Sequence, residues 1–324
     1  MKILHCHALG QPEDLTLSHV PVPQPGPDQV LIKVAVCGVN FPDVLIIQGK
    51  YQVRPPLPFA PGGEVSGTVA ALGQGVQGWE VGQRVFAAVG WGGFAEYAIA
   101  PADQLIALPD GISNETAAVA TITYGTAMHA LKDRANLQPG ENLVVLGAAG
   151  GVGMATIELG VLMGARVIAA ASSDEKLAHC TQAGAHATIN YEKDDLKEAI
   201  KALTQGKGAD VLMDPVGGKY THQAVRAMAY RGRYLVVGFA AGEIPQIPLN
   251  LPLLKAFDLV GVYWSSFRHL QPGEHQQNMA MLSQWFLNGQ LKPFIQEKFT
   301  LENGGKAIRL LMDRRVTGKV VVTP

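Results

Sequence analysis

Cysteine is scarce in this chain: Cys6, Cys37 and Cys180 are the only three in 324 residues. Three thiols build no disulfide framework, so packing must hold the fold, and a reducing compartment is expected. Charge is scarce too. Asp, Glu, Lys and Arg make up 16% of the residues, and 26 basic against 27 acidic side chains leave a formal net charge of -1. That balance gives no general grip on nucleic acid or on an anionic membrane surface; only a local patch stays open. Long hydrophobic runs are absent. The longest, Leu143 to Ile157, is dense with glycine, stops at Glu158 and is too short for a bilayer helix. The first residues carry His5, Cys6, His7, Glu13 and Asp14, among which no signal-peptide core forms. The cytoplasm is the expected location, with neither membrane nor nucleic acid as partner.

Apolar side chains are abundant, 48% of the total, together with 37 Gly and 20 Pro. The length suits about two domains with a large buried core. From Met1 to Ile112 short apolar runs alternate with Gly and Pro clusters. Val30, Ile32, Val34 and Val36 share one face of a strand, and Leu31, Lys33, Ala35 and Cys37 the other. Glu64 to Ala71, Arg84 to Val89 and Phe94 to Ala100 read as further strands, and together they predict a small, partly open β-barrel. Pro21, Pro23, Pro25 and Pro27 read as a stiff connector, with a recognition peptide as the other reading.

From Ser113 to Trp264 regular β/α alternation takes over. An apolar helix over Glu115 to Lys132 precedes strands Leu143–Leu146, Val167–Ala171, Thr188–Asn190, Val211–Met213, Tyr234–Val237 and Leu259–Val262. Strands so separated predict a doubly wound parallel sheet. Beyond Trp264, a helix near Asn278–Asn288 and a strand Val320–Thr323 do not extend the alternation. The predicted layout is an α/β protein whose first domain, residues 1–112, is completed by 265–324, with a second domain over 113–264.

Gly147-Ala148-Ala149-Gly150-Gly151-Val152-Gly153 follows strand Leu143–Leu146 and opens a helix whose inner face uses Met154, Ile157, Val161 and Leu162. Glycine at this spacing allows a tight turn, lets backbone N–H groups approach a pyrophosphate and admits close helix–strand packing. The helix N-terminus adds a favourable field for the anion. The second strand then discriminates between nucleotides. An NAD site places a carboxylate at its tip, whereas here the strand ends Ala169-Ala170-Ala171-Ser172-Ser173, with Lys176 one helical turn on. Two hydroxyls and a cation suit the 2′-phosphate of NADPH. Ser172 with Glu175 also fits a helix capping box, Lys176 fits a solvated surface position, and Asp174 could meet a ribose hydroxyl if the loop turned otherwise. Gly238 and Phe239 follow the fifth strand, where a doubly wound sheet presents its loops to a cofactor. Phe239 fits domain-interface packing equally well.

Several strings in order along the chain carry a family resemblance: Cys37-Gly38-Val39-Asn40-Phe41-Pro42-Asp43, Pro61-Gly62-Gly63-Glu64-Val65-Ser66-Gly67, Gly147 to Gly153, Asn190-Tyr191, Asp214-Pro215-Val216-Gly217-Gly218 and Gly318-Lys319-Val320-Val321-Val322. They resemble the medium-chain dehydrogenase/reductase superfamily over essentially the whole length, and within it the zinc-independent quinone oxidoreductases. The resemblance implies a GroES-like, partly open β-barrel catalytic domain plus a Rossmann domain. Gly63 stands where zinc enzymes carry a histidine, and Cys37 alone cannot make a three- or four-ligand site. The four-cysteine structural lobe is missing, because no cysteine lies between Cys37 and Cys180. His5, Cys6 and His7 look metal-like in print, yet on a strand Cys6 faces away from the two histidines. No metal is expected.

Without ligands for a Lewis acid, alcohol dehydrogenation is disfavoured. The expected reaction is hydride transfer from NADPH to a quinone or an α,β-unsaturated carbonyl, in a dry cleft that holds both together. The resemblance implies that Asn40 and Asp43 border the acceptor, with Asn40 donating a hydrogen bond to its oxygen; by residue type alone Asn40 is a helix N-cap. Tyr51, ahead of the stiff Arg54–Phe59 loop, either stacks on a planar substrate, donates its hydroxyl or packs as wall. The resemblance also puts Thr126 near the nicotinamide and Tyr191 near the adenosine phosphate, and Lys319 is expected to reach the cofactor from the C-terminal segment. A homodimer is expected, through an edge strand near Leu259–Val262 pairing across a two-fold. The alternatives are an enoyl-thioester reductase and an NADPH-binding structural or RNA-binding protein with little turnover.

Overall fold

The strand Gln29–Gly38 is the spine of a seven-stranded sheet. It pairs antiparallel with Glu64–Leu72, Tyr97–Pro101 and Lys319–Thr323. Arg84–Ala88 and Leu105–Ala107 extend the sheet on one side, and Ile295–Thr300 runs parallel to Lys319–Thr323 on the other. The expected two-residue alternation holds only as far as Val34. Register shifts between Leu31 and Ile32 and between Val34 and Val36. A bulge adds one residue on one strand and inverts the facing beyond it. Val30, Ile32, Val34 and Cys37 therefore share the main core, while Val36 turns to a smaller cluster with Ala118, Val119 and Val321.

The computed structural model describes residues 1–324 and divides into two compact units, Met1–Ile122 with Leu282–Pro324, and Thr123–Met281. The borders thus fall later than residues 112 and 264. Ser66 Oγ donates to Asn114 O (2.7 Å), and Ala118 and Val119 sit in the Val36 cluster, which ties the segment after Ser113 to the barrel sheet. In the tail, His275 meets Trp264 edge-on (5.5 Å between ring centres) and Asn278 Nδ2 donates to Asp133 (2.8 Å), so the first turns of helix Pro272–Leu287 belong to the second unit.

The second unit is built on six parallel strands in the order Ala187–Asn190, Arg166–Ala171, Asn142–Leu146, Ala209–Asp214, Met228–Val236, Asp258–Gly261. Numbered along the chain the order is 3-2-1-4-5-6, with the reversal beside Asn142–Leu146. Helices cover both faces, so a central strand such as Ala209–Asp214 is buried throughout, with Val211–Met213 as its apolar middle and an aspartate on either side. The single helix expected over Glu115–Lys132 is instead α over Asn114–Ala117, π over Ala120–Tyr124, α over Gly125–Met128 and π over His129–Arg134. Glu64 accounts for the first interruption: its Oε2 accepts both Thr121 Oγ1 and the Ile122 N–H at 2.7 Å, which diverts an amide from the helical ladder. No helix is long and apolar enough to cross a membrane.

Candidate active site

Two groups of residues stand out, one in each unit. In the second unit the strand Asn142–Leu146 turns at Gly147, whose φ of +57° places it in the left-handed region that glycine favours. Ala148 N–H donates to Ala170 O (3.0 Å) and Gly150 N–H to Gly147 O (3.0 Å), closing the turn onto the second strand. Helix Gly151–Leu162 follows, and Met154 is the first residue whose N–H bonds back, to Gly150 O at 2.8 Å. The N–H groups of Gly151 and Val152 therefore open outward from the helix end. A Cβ on Gly153 would stand 2.5 Å from the carbonyl oxygens of Gly147 and Ala148, so this glycine permits the close approach of helix to turn. A Cβ on Gly150 would meet only Gly147 O, at 3.4 Å; the space over Gly150 is not taken by protein. The helix packs through Met154, Ile157, Leu159 and Gly160, with Gly160 against Leu143, whereas Val161 and Leu162 are only half-buried.

At the tip of the second strand Ser172 is half-buried, and Ser173 caps helix Asp174–Gln182 by accepting the Lys176 N–H (3.3 Å). The cap is thus Ser173 rather than Ser172. Asp174 is turned to the third strand, where its carboxylate accepts Asn190 Nδ2 (2.6 Å) and Lys193 Nζ (2.5 Å). The Lys193 ammonium holds the Asp174 carboxyl below the usual carboxylate range. Tyr191, after the third strand, lies against the Tyr220 ring at 4.3 Å between centres. Asp214, ending the fourth strand, accepts the N–H groups of Val216 and Gly217 (2.8 Å each) on Oδ1, and Thr221 Oγ1 (3.2 Å) and the Tyr234 hydroxyl on Oδ2. Gly238 and the exposed Phe239 belong to the next loop, fastened to the Asp214 loop by Ala240 N–H to Pro215 O (3.1 Å) and Ala241 N–H to Val216 O (2.8 Å). Thr126, half-buried on Gly125–Met128, lies on a helix packed against the glycine-loop helix. Asp214 and Tyr234 are organising residues that sequence reasoning missed. An acid at the end of an apolar strand, before Pro-Val-Gly-Gly, was the available signal.

In the first unit Asn40 precedes helix Phe41–Ile47 as its N-cap and is 5% exposed. The buried Asp43 carboxylate accepts the N–H groups of Asn40 (2.8 Å) and Gly62 (2.9 Å), binding helix start and Pro61–Gly63 turn together. Burial pushes the Asp43 carboxyl up to about 6, partly offset by those two N–H bonds. Lys319, expected at the cofactor, is instead buried in the barrel. Its ammonium donates to Asn40 Oδ1 (2.5 Å), Val39 O (2.8 Å) and Glu64 Oε1 (3.2 Å), which uses all three hydrogens. Tyr51 packs half-buried against the barrel core. Cys37 is fully enclosed, and burial pushes its thiol up; Cβ atoms on Gly62 or Gly93 would lie 2.7 Å from its sulfur. No group of three or more His, Cys, Asp or Glu side chains could hold a metal ion. The Glu64–Lys319 pair was missed; its members each open an otherwise uncharged strand, and nothing beside either one in the sequence points to the other.

Residues 26–110 match the family model for the alcohol dehydrogenase GroES-like domain, and residues 151–284 that for the zinc-binding dehydrogenases. The chain is 42% identical over 300 residues to a quinone oxidoreductase-like protein 2 homolog of Nematostella vectensis, covering 92% of this chain and 82% of the other. A mycobacterial protein solved in complex with NADPH is similar at TM-score 0.94 and 30% identity over 100% of both chains. The Escherichia coli quinone oxidoreductase complexed with NADPH is similar at TM-score 0.93 and 27% identity, again over 100% of both. With two such domains in this order, and that identity across nine-tenths of its length, the chain belongs to the quinone oxidoreductase branch of the medium-chain dehydrogenase/reductase superfamily.

Proposed function

We propose that this oxidoreductase uses NADPH to reduce quinones or α,β-unsaturated carbonyls by hydride transfer, without a metal. The carrying observation is the glycine cradle Gly147–Gly153, at the switch point of a 3-2-1-4-5-6 sheet, with open space over Gly150 and outward N–H groups at Gly151 and Val152. When bound, NADPH supplies the hydride. The Gly151 and Val152 N–H groups take the pyrophosphate. Ser172, Ser173 and Lys176 take the 2′-phosphate, with Asp174 drawn aside by Asn190 and Lys193. Tyr191 borders the adenosine phosphate, and Thr126, Gly238 and Phe239 the remainder. NADPH-complexed relatives support the same choice of nucleotide.

On the barrel side Asn40 Nδ2 donates to the acceptor oxygen, Asp43 holds the loop that carries Asn40, and Tyr51 forms wall. A quinone that gains one hydride and one proton leaves as the hydroquinone, and an enone as the saturated carbonyl. Gly63 offers no ligand and the Cys37 thiol is enclosed, which favours the metal-free route. We also place the protein in the cytoplasm as a homodimer.

The test is oxidation of NADPH and NADH side by side, against a small para-quinone, a conjugated ketone and an enoyl thioester, with enzyme-free controls. NADPH-preferring turnover of quinone or enone is expected. Turnover of the thioester alone would move the assignment to an enoyl-thioester reductase. Tight NADPH binding with no acceptor-dependent oxidation would make the protein a nucleotide-binding module.

A further inference from the structure

The Asn40 amide has two ends, and Lys319 decides which is presented. An ammonium only donates hydrogen bonds, so at 2.5 Å Lys319 Nζ meets the oxygen of that amide and never its nitrogen. The nitrogen is therefore turned away from Lys319. Its protein partner is Gly38 O at 3.4 Å, long for an N–H···O bond, and one of its two hydrogens is left without any protein acceptor. Lys319 is itself held in place. Val39 O lies 2.8 Å from Nζ, and Glu64, buried and anchored by Thr121 and Ile122, supplies the countercharge at 3.2 Å. Removed from this clamp, an asparagine side chain rotates between two nearly equivalent orientations, one of which would aim a carbonyl oxygen at an acceptor oxygen.

We propose that Lys319 is a positioning residue for the reduction: it locks Asn40 as a pure donor toward the acceptor, resting on the role given to Asn40 above. A cation on Oδ1 also draws electron density toward that oxygen and strengthens the N–H donor at the other end of the amide. Negative charge developing on the acceptor oxygen as hydride arrives is then met by a donor that needs no reorientation. Glu64 keeps the buried ammonium neutralised and Asn40 transmits its effect.

The test is a cycle of variants. Because Lys319→Met alone leaves Glu64 buried without its countercharge, and Glu64→Gln alone does the same to Lys319, the two are replaced together: the cycle compares wild type, Lys319→Met with Glu64→Gln, Asn40→Ala, and all three substitutions combined. Loss of Lys319 is expected to lower kcat at least tenfold with KM for NADPH unchanged, and to have no further effect once Asn40 is alanine. Equal losses in the presence and absence of the Asn40 side chain would overturn the proposal. A second readout does not depend on turnover. The Asn40 side-chain amide, assigned in ¹⁵N spectra by its disappearance in Asn40→Ala, is expected to shift and to exchange faster with solvent when Lys319 is replaced. An unchanged resonance would also overturn the lock. A wild-type protein that turns over no acceptor but shows this spectral change would sink the reductase reading and leave the amide lock standing.

Discussion

Gly153 lies so close to Gly147 that a Cβ on it would come within 2.5 Å of the Gly147 carbonyl oxygen. Gly150, three residues earlier, has no such neighbour; its nearest protein atom would be 3.4 Å away. The two glycines serve different purposes, and alanine separates them. Gly153→Ala must push helix from turn, at a cost of about 1–3 kcal/mol typical of overpacking. Gly150→Ala should leave the denaturation midpoint near wild type while weakening NADPH at least tenfold. Thermal unfolding and nucleotide titration of both variants decide the matter, and equal loss of binding with equal loss of stability would contradict the division.

Ser173 and Lys176 share one hydrogen bond and both face the proposed 2′-phosphate, but only Ser173 is predicted to report on stability as well. Ser173→Ala removes the cap of helix Asp174–Gln182 and should cost about 1 kcal/mol of stability. Lys176→Ala should instead weaken NADPH by about 1–3 kcal/mol, as for one lost charge-assisted bond, and leave NADH untouched. Binding of the two nucleotides measured by calorimetry is the check; an NADPH affinity that ignores Lys176 removes that residue from the site.

What the sequence carried and what it hid follow from how local each feature is. The strand–glycine–helix unit at Asn142–Leu162 is punctuated by its own glycines, and the parallel pairing of six strands follows from β/α alternation, so both were readable; the order of those strands was not. The facing of Cys37 was not. It depends on where Gln29–Gly38 slips against Glu64–Leu72, and a two-residue period carries no mark of a slip. The burial of Lys319 was hidden for a similar reason: its partner Glu64 is 255 residues away, and a lysine before three valines reads locally as a surface strand end. Asp174 likewise looked free to contact a ribose because Asn190 and Lys193, which hold it, belong to the end of the third strand and the turn beyond it.

Asp43 gives the first unit a pH signature. Its carboxyl, pushed up to about 6 by burial, lies above the 3.8 usual for an aspartate, so between those values the folded state binds more protons than the unfolded chain. The stabilising contribution is full below about pH 4 and is lost as pH rises through 6, amounting to at most about 3 kcal/mol. Urea unfolding of wild type and Asp43→Asn from pH 4 to 7.5 should show their difference changing across this window. A carboxyl ¹³C titration of Asp43 with its midpoint near 4 would refute the assignment.

The outer strand Asp258–Gly261 ends the six-stranded sheet with one edge unpaired, and Leu249, Leu253 and Leu254 just before it are about three-quarters exposed. An open edge beside apolar side chains suits a second copy of the chain joined across a two-fold. Sedimentation should give a dimer, and Leu253→Glu with Leu254→Glu should yield monomers that still bind NADPH. A wild-type monomer at micromolar concentration would exclude this edge as an interface.

The seven-stranded sheet joins residues 29–38 to residues 319–323, so the first unit cannot close until the last part of the chain is available. All six strands of the second unit lie between Asn142 and Gly261 and need nothing from either end. On the ribosome the middle of the chain should therefore fold first, while the early strands wait, unpaired with their final neighbour, for the last one to emerge. Pulse-labelled hydrogen exchange during refolding should find Val144 and Leu212 protected well before Cys37 and Val322; simultaneous protection would show that the early strands do not wait.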